Sequence, residues 1–289
     1  MKLDDVLAGY VPGPRGHDGL TLAVLLASQA GARLSVAYVR PPAVSTPGPA
    51  RAEESAWRAY LREQADTALA QARELAGDEA DYVVTAHRGS GRGLVELARK
   101  RGANVVVIGP APGGGRGRIA LGSTADQLLH SSSVPVLLAP RGFGEAPPAA
   151  FDRITLAYRR GPGCDQAVKV AAATAATLGV PLRLVTLVLS SGRRARIEEE
   201  MLVRLRDQAA ADLRTAARGH RRSQAPVEVE VLEGRNVAQA LGATSWLPGE
   251  MIICASSDTG PLRRVFLGDT SIKIIKAATC PVMILTRQP

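Results

Sequence analysis

The chain has 289 residues, of which 46% are hydrophobic and only 3% aromatic. This length fits two domains of ordinary size, and the scarcity of aromatic residues predicts cores built from Ala, Val and Leu. No apolar run approaches the roughly 18 uninterrupted residues of a membrane-spanning helix, which excludes that class of membrane protein. The N-terminus has acidic residues where a signal peptide would have its apolar run, which predicts a cytoplasmic protein.

The net charge of +9 raises the question of nucleic-acid binding. We count 16 basic and 14 acidic residues up to Ala149, so most of the excess lies in the second half. Much of it falls in residues 193–222, where Arg alternates with Glu and Asp at helical spacing, a pattern typical of a solvated helix. No aromatic residues are interleaved there to stack on bases, so nucleic acid is disfavoured as a partner.

Cysteine and histidine spacing argues against a metal site. Cys164, Cys254 and Cys280 are odd in number and widely spaced, so they fit neither a disulfide framework nor a CxxC metal motif. The four histidines are equally scattered. We therefore predict no structural metal, and we expect Cys254 and Cys280 to be small buried residues of strands.

Apolar strands alternate with amphipathic helices along the first half. Such alternation predicts a mainly parallel sheet with helices on both faces and right-handed crossovers. Short β-branched runs mark the strands, and glycines mark the ends of several helices. The predicted order is strand Leu3–Tyr10, helix His17–Gly31, strand Arg33–Val39, helix Arg51–Ala76, strand Asp81–His87, helix Gly91–Arg101, strand Val105–Ile108, a helix from Gly122 to about Ser131, and strand Val134–Leu138.

A glycine-rich loop follows the fourth strand, with glycines at positions 109, 113, 114, 115 and 117. The next helix is predicted to start at Gly122, with Ser123 or Thr124 as N-cap. A strand, a glycine loop and a helix N-terminus in this order bind phosphate through backbone N–H groups and the helix dipole. The loop therefore predicts a phosphate site.

The second half repeats the first. Gly122 and Gly268 stand 146 residues apart, as do Pro135 and Pro281, and each pair occupies the same place in its half. Such internal similarity indicates a duplicated domain. We predict two tandem five-stranded α/β domains, residues 1–140 and 151–289, joined by a linker at 141–150.

These features resemble the universal stress protein family in its tandem two-domain form. The resemblance rests on the alternating elements, the glycine loop, and the terminal strands VPVLL and CPVMIL. It implies a Rossmann-like fold of the adenine nucleotide alpha hydrolase type, with the two terminal strands near the contact between the halves. It also implies a stress-response or regulatory role, exercised through an unidentified protein partner, with homodimer formation left open.

Nucleotide-binding members of that family carry Gly, two residues, Gly, nine residues, Gly, and then Ser or Thr. Gly109, Gly122 and Ser123 match this spacing, whereas Pro112 stands at the second glycine. The family's aspartate after the first strand is replaced by Val11. Two interpretations of this loop remain at this point: an altered ATP-type site, or a vestigial loop that binds no nucleotide.

Ligands of open α/β sheets bind outside the carboxyl ends of the strands, which gathers several segments at one predicted site. Proline at position 112 removes a donor, but the glycines after it can supply others, and two arginines can add charge-assisted phosphate contacts. The candidate residues for binding the nucleotide are Val11, Pro12, Val39, Gly109, Pro112, Gly113, Gly115, Arg116, Arg118, Gly122, Ser123 and Thr124.

The second half departs further from the family pattern. Ala255 and Asp258 replace the first two glycines, Asp269 follows Gly268, and Arg159 replaces the aspartate. A carboxylate at the helix N-terminus competes with a phosphate for the same dipole. We therefore expect the second site to be lost for a triphosphate.

Three functions remain open. The favoured one is a regulatory protein with at most one altered ATP-type site. The second is a slow ATP hydrolase using that site, which is less favoured because no catalytic triad, carboxylate pair or metal cluster is visible. The third is a nucleotide-free scaffold for protein partners.

Overall fold

The computed structural model describes residues 2–43, 51–161, 163–190, 196–218, 227–255 and 269–286. Strands and helices alternate throughout these residues. The first half contains β1 (Asp5–Tyr10), α1 (Pro14–Ala30), β2 (Arg33–Arg40), α2 (Arg51–Ala76), β3 (Asp81–Ala86), α3 (Ser90–Arg101), β4 (Val105–Ile108), α4 (Ser123–Ser131) and β5 (Val136–Leu138). The second half contains β6 (Arg153–Ala157), α5 (Cys164–Leu178), β7 (Leu182–Leu189), α6 (Arg196–Arg218), β8 (Glu228–Gly234), α7 (Val237–Leu241), β9 (Glu250–Ala255), α8 (Asp269–Ala277) and β10 (Val282–Leu285).

All ten of these strands form one sheet in the order β3-β2-β1-β4-β5-β10-β9-β6-β7-β8. Each half contributes five parallel strands, which confirms the predicted α/β class. The halves join where β5 and β10 pair antiparallel, with Val136 opposite Ile284 and Leu138 opposite Val282. The predicted position of the two terminal strands at the contact between the halves is confirmed.

Helices cover both faces of the sheet. One core contains residues of α1, α2, α5 and α6, and the other contains residues of α3, α4, α7 and α8. Strand β1 shows the division, since Val6 and Ala8 face the first core and Leu7 faces the second. Every residue of β4 and β10 is buried, which explains their unbroken apolar sequences. None of the helices that the structure describes has the length and apolar character of a membrane span.

The halves also meet on the face that α1 and α5 cover. The amide nitrogen of Gln29, on α1, donates to the carbonyl oxygens of Phe151 at 3.1 Å and Leu178 at 2.9 Å. The backbone N–H of Phe151 donates in return to the Gln29 Oε1 atom at 2.6 Å. One side chain of the first half therefore holds both the start of the second half and the end of α5.

The three cysteines are free thiols. Cys254 and Cys280 are both buried, as predicted, and Cys254 lies in β9. The prediction that Cys280 belongs to a strand is wrong, because β10 begins only at Val282, after Pro281. Burial raises the pKa of the Cys254 thiol to about 12, so this side chain stays a neutral core residue.

A buried polar cluster lies where the strands of the second half begin. Glu250, at the start of β9, is fully buried and forms ion pairs with Arg153 at 2.8 Å and Arg183 at 2.7 Å. Thr155 donates its hydroxyl to the same carboxylate. The Arg183 guanidinium lies 4.8 Å from the centre of the Trp246 ring. Three parallel strands, β6, β7 and β9, are thereby tied together at their N-terminal ends.

Candidate functional site

A cavity opens at the carboxyl ends of β1, β2 and β4 in the first half, where the topology of an α/β sheet predicts a ligand site. Its volume is about 140 Å³. The described residues that line it come from the strand ends, the glycine loop and the first turns of three helices. They are Gly9, Tyr10, Val11, Arg15, Gly16, Ala37, Val39, Ser90, Leu94, Ile108, Gly109, Pro110, Ala111, Pro112, Gly122, Ser123, Thr124 and Ala125.

Close backbone contacts between α1 and the end of β4 form one side of the cavity. A Cβ atom on Gly109 would lie 1.8 Å from the carbonyl oxygen of Arg15. A Cβ atom on Gly19 would lie 2.3 Å from the Gly109 nitrogen. Since real Cβ atoms do not approach so closely, the first turns of α1 can reach the strand end only because both positions are glycine.

Three helix N-termini face the cavity. Gly16 belongs to the first turn of α1, Ser90 begins α3, and residues 123–125 form the first turn of α4. The hydroxyl groups of Ser90 and Thr124 are hydrogen bonded at 2.6 Å, which joins the starts of α3 and α4. The positive ends of three helix dipoles therefore converge on one small space.

Both predicted N-caps of α4 are wrong, Ser123 by one residue and Thr124 by two. Ser123 and Thr124 lie inside the helix, and the N-cap is Gly122, which has extended backbone geometry and no side-chain cap. Because a glycine cap offers no side-chain acceptor, the described residues leave the first N–H groups of α4 without a side-chain cap.

The electrostatics of the cavity favour an anion. Among the described lining residues Arg15 carries the only formal charge, and there is no Asp, Glu or His. Burial, with a smaller contribution from Glu74, raises the pKa of Tyr10, so its phenol stays neutral. The described residues contain no group of three or more His, Cys, Asp or Glu that could hold a metal ion.

Seven of the twelve predicted binding residues line the cavity, and five do not. Arg15 and Leu94 line it but were not predicted from the sequence. The position of Arg15 in the first turn after β1 was the one available signal. Those inside are Val11, Val39, Gly109, Pro112, Gly122, Ser123 and Thr124, and those outside are Pro12, Gly113, Gly115, Arg116 and Arg118.

The glycine loop folds back on itself as a hairpin of residues 111–120, here called the glycine hairpin. The N–H of Ala111 donates to the carbonyl oxygen of Ala120 at 2.9 Å, which closes its base. Its two arginines contact other parts of the molecule instead of the cavity. Arg116 pairs with Glu145 at 2.6 Å, and Arg118 donates to the carbonyl oxygen of Ala277 at the end of α8.

The corresponding region of the second half is described only in part. Asp258 and Gly268 lie outside the described residues. Asp269 is the first residue of α8, is largely exposed, and pairs with Lys273 at 2.5 Å. Arg159 is exposed after β6, and the Ala255 carbonyl accepts a hydrogen bond from the Ser271 hydroxyl at 3.3 Å. A carboxylate thus stands where α4 has Ser123.

Known proteins match this chain over nearly its whole length. A universal stress protein from Mycobacterium tuberculosis (strain ATCC 25618 / H37Rv) is 34% identical over 293 aligned residues, which cover 97% of this chain and 99% of that protein. A universal stress protein from Mycobacterium bovis is similar to the same extent, with 34% identity over 97% of this chain and 99% of its own.

Solved structures show the same fold. The crystal structure of a universal stress protein from Archaeoglobus fulgidus DSM 4304 aligns with a TM-score of 0.65 and 18% identity over 100% of both chains. A putative universal stress protein from Pseudomonas aeruginosa UCBPP-PA14 aligns with a TM-score of 0.59 and 16% identity over 98% of this chain and 93% of its own. The model of the universal stress protein family matches residues 4–140 and again 150–286. This chain therefore belongs to the universal stress protein family, in its tandem form.

Proposed function

We propose that this protein is a stress-response regulator with one altered ATP-type site, formed by the cavity of the first half. The observation that carries the proposal is the convergence of three helix N-termini and Arg15 on a cavity without acidic lining residues. Such a cavity stabilises a phosphate group through backbone N–H groups and helix dipoles. An adenine nucleotide is the phosphate ligand that the family resemblance implies.

The site is altered at the end that would hold the nucleoside. Val11, in place of the family aspartate, is 42% exposed and lines the cavity with an apolar side chain. The volume of about 140 Å³ is below the roughly 300–1,000 Å³ of most small-molecule sites. Nucleotide binding therefore needs the cavity to widen, and we propose that this movement passes from the glycine hairpin to a surface that binds a protein partner.

We propose that the second half binds no triphosphate. Asp269 places a carboxylate at the N-terminus of α8, where it already interacts favourably with the helix dipole. A phosphate at the same place would meet a like charge. The expected stoichiometry is one nucleotide per chain.

A nucleotide-free scaffold is the second candidate, and two observations favour it. The cavity is small, and α2 exposes a stacked pair, Trp57 and Tyr60, with ring centres 5.5 Å apart.

A slow ATP hydrolase has less support, because the described lining residues include no Asp, Glu or His to act as general base. The free state of all three cysteines supports a location in the reducing cytoplasm.

The substitution Ser123→Asp tests the site by copying the charge of the second half. Ser123 is exposed at the first turn of α4, so the new carboxylate fits without a clash and lies where the phosphate would bind. We expect Mg-ATP to bind at least about tenfold more weakly, or ~1.4 kcal/mol, when measured by titration calorimetry.

Ser123→Asn is the matched control, because it has the same shape without the charge. We expect its affinity for Mg-ATP to stay within about twofold of the unmodified protein, a change well below ~1.4 kcal/mol. Equal affinities for the Asp and Asn variants would show that the phosphate lies elsewhere. Absence of binding by the unmodified protein at millimolar Mg-ATP would favour the scaffold.

A further inference from the structure

The glycine hairpin is the wall of the cavity that has the fewest internal constraints. Pro110, Ala111 and Pro112 line the cavity at its base, and glycine occupies four of the next five positions, 113–117. The other walls are strand ends and helix starts that belong to the packed cores, whereas Ile119 is the one residue of the hairpin that lies among the described core residues. Any widening of the cavity for a nucleotide will therefore displace the hairpin first.

The hairpin is held to the segment that connects the two halves. The N–H of Gly117 donates to the Arg141 carbonyl at 2.8 Å, and the N–H of Arg141 donates to the Arg118 carbonyl at 3.0 Å. The Arg141 side chain donates to the carbonyl oxygen of Gly114 at 2.6 Å. The hairpin and the segment after β5 are therefore joined by three hydrogen bonds, all of which involve Arg141.

The same connecting segment is fixed to α1. The buried carboxylate of Asp18 accepts hydrogen bonds from the N–H groups of Gly142 and Gly144, both at 2.9 Å. Arg116 of the hairpin adds its ion pair with Glu145. Since the connecting segment is anchored in this way, displacement of the hairpin breaks contacts with it instead of carrying it along.

One contact of the hairpin crosses to the second half. Arg118 donates from its guanidinium to the carbonyl oxygen of Ala277, the last residue of α8. A cation at a helix C-terminus satisfies a free carbonyl group and interacts favourably with the dipole. The contact therefore stabilises both the end of α8 and the narrow form of the cavity.

We propose that Arg118 couples the ligand site of the first half to the second half, by holding the glycine hairpin in the position that narrows the cavity. The inference rests on the proposed function, since it concerns the regulation of that same site. Ligand binding displaces the hairpin and releases Arg118 from α8. By thermodynamic reciprocity, a looser contact at α8 raises the affinity of the site, and occupation of the site loosens the end of α8.

The substitution Arg118→Ala tests the coupling. If the contact holds the cavity narrow, its removal increases the fraction of binding-competent protein, and we expect Mg-ATP to bind about 3- to 10-fold more tightly by titration calorimetry. Arg118→Lys keeps a donor and should give an intermediate affinity. Arg99→Ala, which removes an exposed arginine from the last turn of α3, outside the hairpin and the described cavity lining, controls for the lost charge.

Amide hydrogen exchange on the unmodified protein gives a second readout that needs no substitution. Mg-ATP should speed exchange in the last turn of α8 and leave the last turn of α5 unchanged, because α5 contacts the first half through Gln29 and not through the hairpin. This measurement decides the question if Arg118→Ala fails to fold.

The possible results separate the coupling from the site itself. The coupling is supported if Arg118→Ala binds Mg-ATP more tightly while Arg99→Ala keeps the affinity of the unmodified protein. It is also supported if Arg118→Ala binds Mg-ATP and neither the unmodified protein nor Arg99→Ala binds it. Equal or weaker binding by Arg118→Ala, with no change of exchange in α8, overturns the coupling and leaves the proposed site intact. Absence of binding by every variant overturns both.

Discussion

At the scale of single residues, the carboxylate of Glu250 shows how hydrogen bonds and ion pairs offset the cost of burying a charge. Burial by itself would raise its pKa, but hydrogen bonds from Arg153, Thr155 and the N–H of Leu247, and the charge of Arg183, outweigh it and hold the pKa below the ordinary value. The carboxylate therefore stays ionised in the folded protein, and each of its oxygens has several donors.

Replacing Glu250 by Gln should destabilise the second half strongly. The substitution leaves the guanidinium groups of Arg153 and Arg183 beside each other without their shared counter-charge, which costs about 3–5 kcal/mol of the free energy of unfolding in urea. Glu228→Gln is the matched control, because Glu228 is half exposed and pairs with Arg153 only at the surface. Its expected cost is below about 1 kcal/mol. Equal losses of unfolding free energy in the two variants would show that the burial of Glu250 does not increase the contribution of its ion pairs to stability.

The lowered pKa of Glu250 also predicts the direction in which the stability of the protein changes with pH. The folded pKa of Glu250 lies below the ordinary value of 4.5, so its stabilisation is complete above pH 4.5 and is lost as the pH falls through the folded pKa. The free energy of unfolding should therefore fall more steeply on acidification in the unmodified protein than in Glu250→Gln. Parallel pH curves would contradict the lowered pKa.

At the scale of elements, the approach of α1 to the end of β4 creates the cavity. The carbonyl oxygen of Arg15 and the backbone of Gly109 touch without any side chain between them. A helix start held this close to a strand end directs its N–H groups into the crevice, which is the geometry of phosphate sites in α/β proteins. The hairpin and the starts of α3 and α4 complete the enclosure.

The substitution Gly109→Ala should force α1 away from β4. Its Cβ atom would lie 1.8 Å from the Arg15 carbonyl oxygen, a backbone atom that cannot move without the helix. We expect a loss of about 2–4 kcal/mol in thermal or urea unfolding, as for overpacked cores, and loss of any Mg-ATP binding. Gly115→Ala, in the same loop, meets only the Arg118 side chain at 3.8 Å and should unfold like the unmodified protein. An equally stable Gly109→Ala variant would refute the close contact.

At the scale of the whole molecule, the antiparallel pairing of β5 with β10 turns two five-stranded sheets into one sheet of ten strands. Each of these strands would be an open edge in an isolated half. Unpaired edges with buried, apolar side chains are templates for association. Covalent linkage of the halves satisfies both edges within one chain, and the open edges that the structure describes are then β3 and β8.

A fragment of residues 1–149 should therefore self-associate, whereas the full chain should not use β5 for association. In the fragment Val136 and Leu138 lose the partner strand that covers their backbone groups. Sedimentation velocity at micromolar concentrations should show dimers or larger species of the fragment. A charge introduced on β5 by Leu137→Lys is unsuitable as a test, because Leu137 is buried in the core. The control is the same fragment carrying Arg141→Ala, a change outside β5 that should leave its association unaltered. A monomeric fragment would contradict this account of the edge.

The sequence by itself determined the elements, the duplication and the family. Uninterrupted β-branched runs such as Val105–Ile108 predict strands buried on both faces, and glycines mark the ends of helices, because these are local properties of neighbouring residues. The spacing of Gly109, Gly122 and Ser123 located the cavity for the same reason, since one loop and one helix start contribute much of its lining.

Only the tertiary structure decided what depends on residues far apart in the chain. Arg118 was expected near a phosphate, but it contacts α8, 159 residues further along. Glu250, unremarkable in the sequence, meets Arg153 and Arg183 because strand register brings three strand starts together. Side-chain direction in a glycine loop and the partners of a buried charge follow from packing of the complete chain, and local sequence patterns carry no record of either.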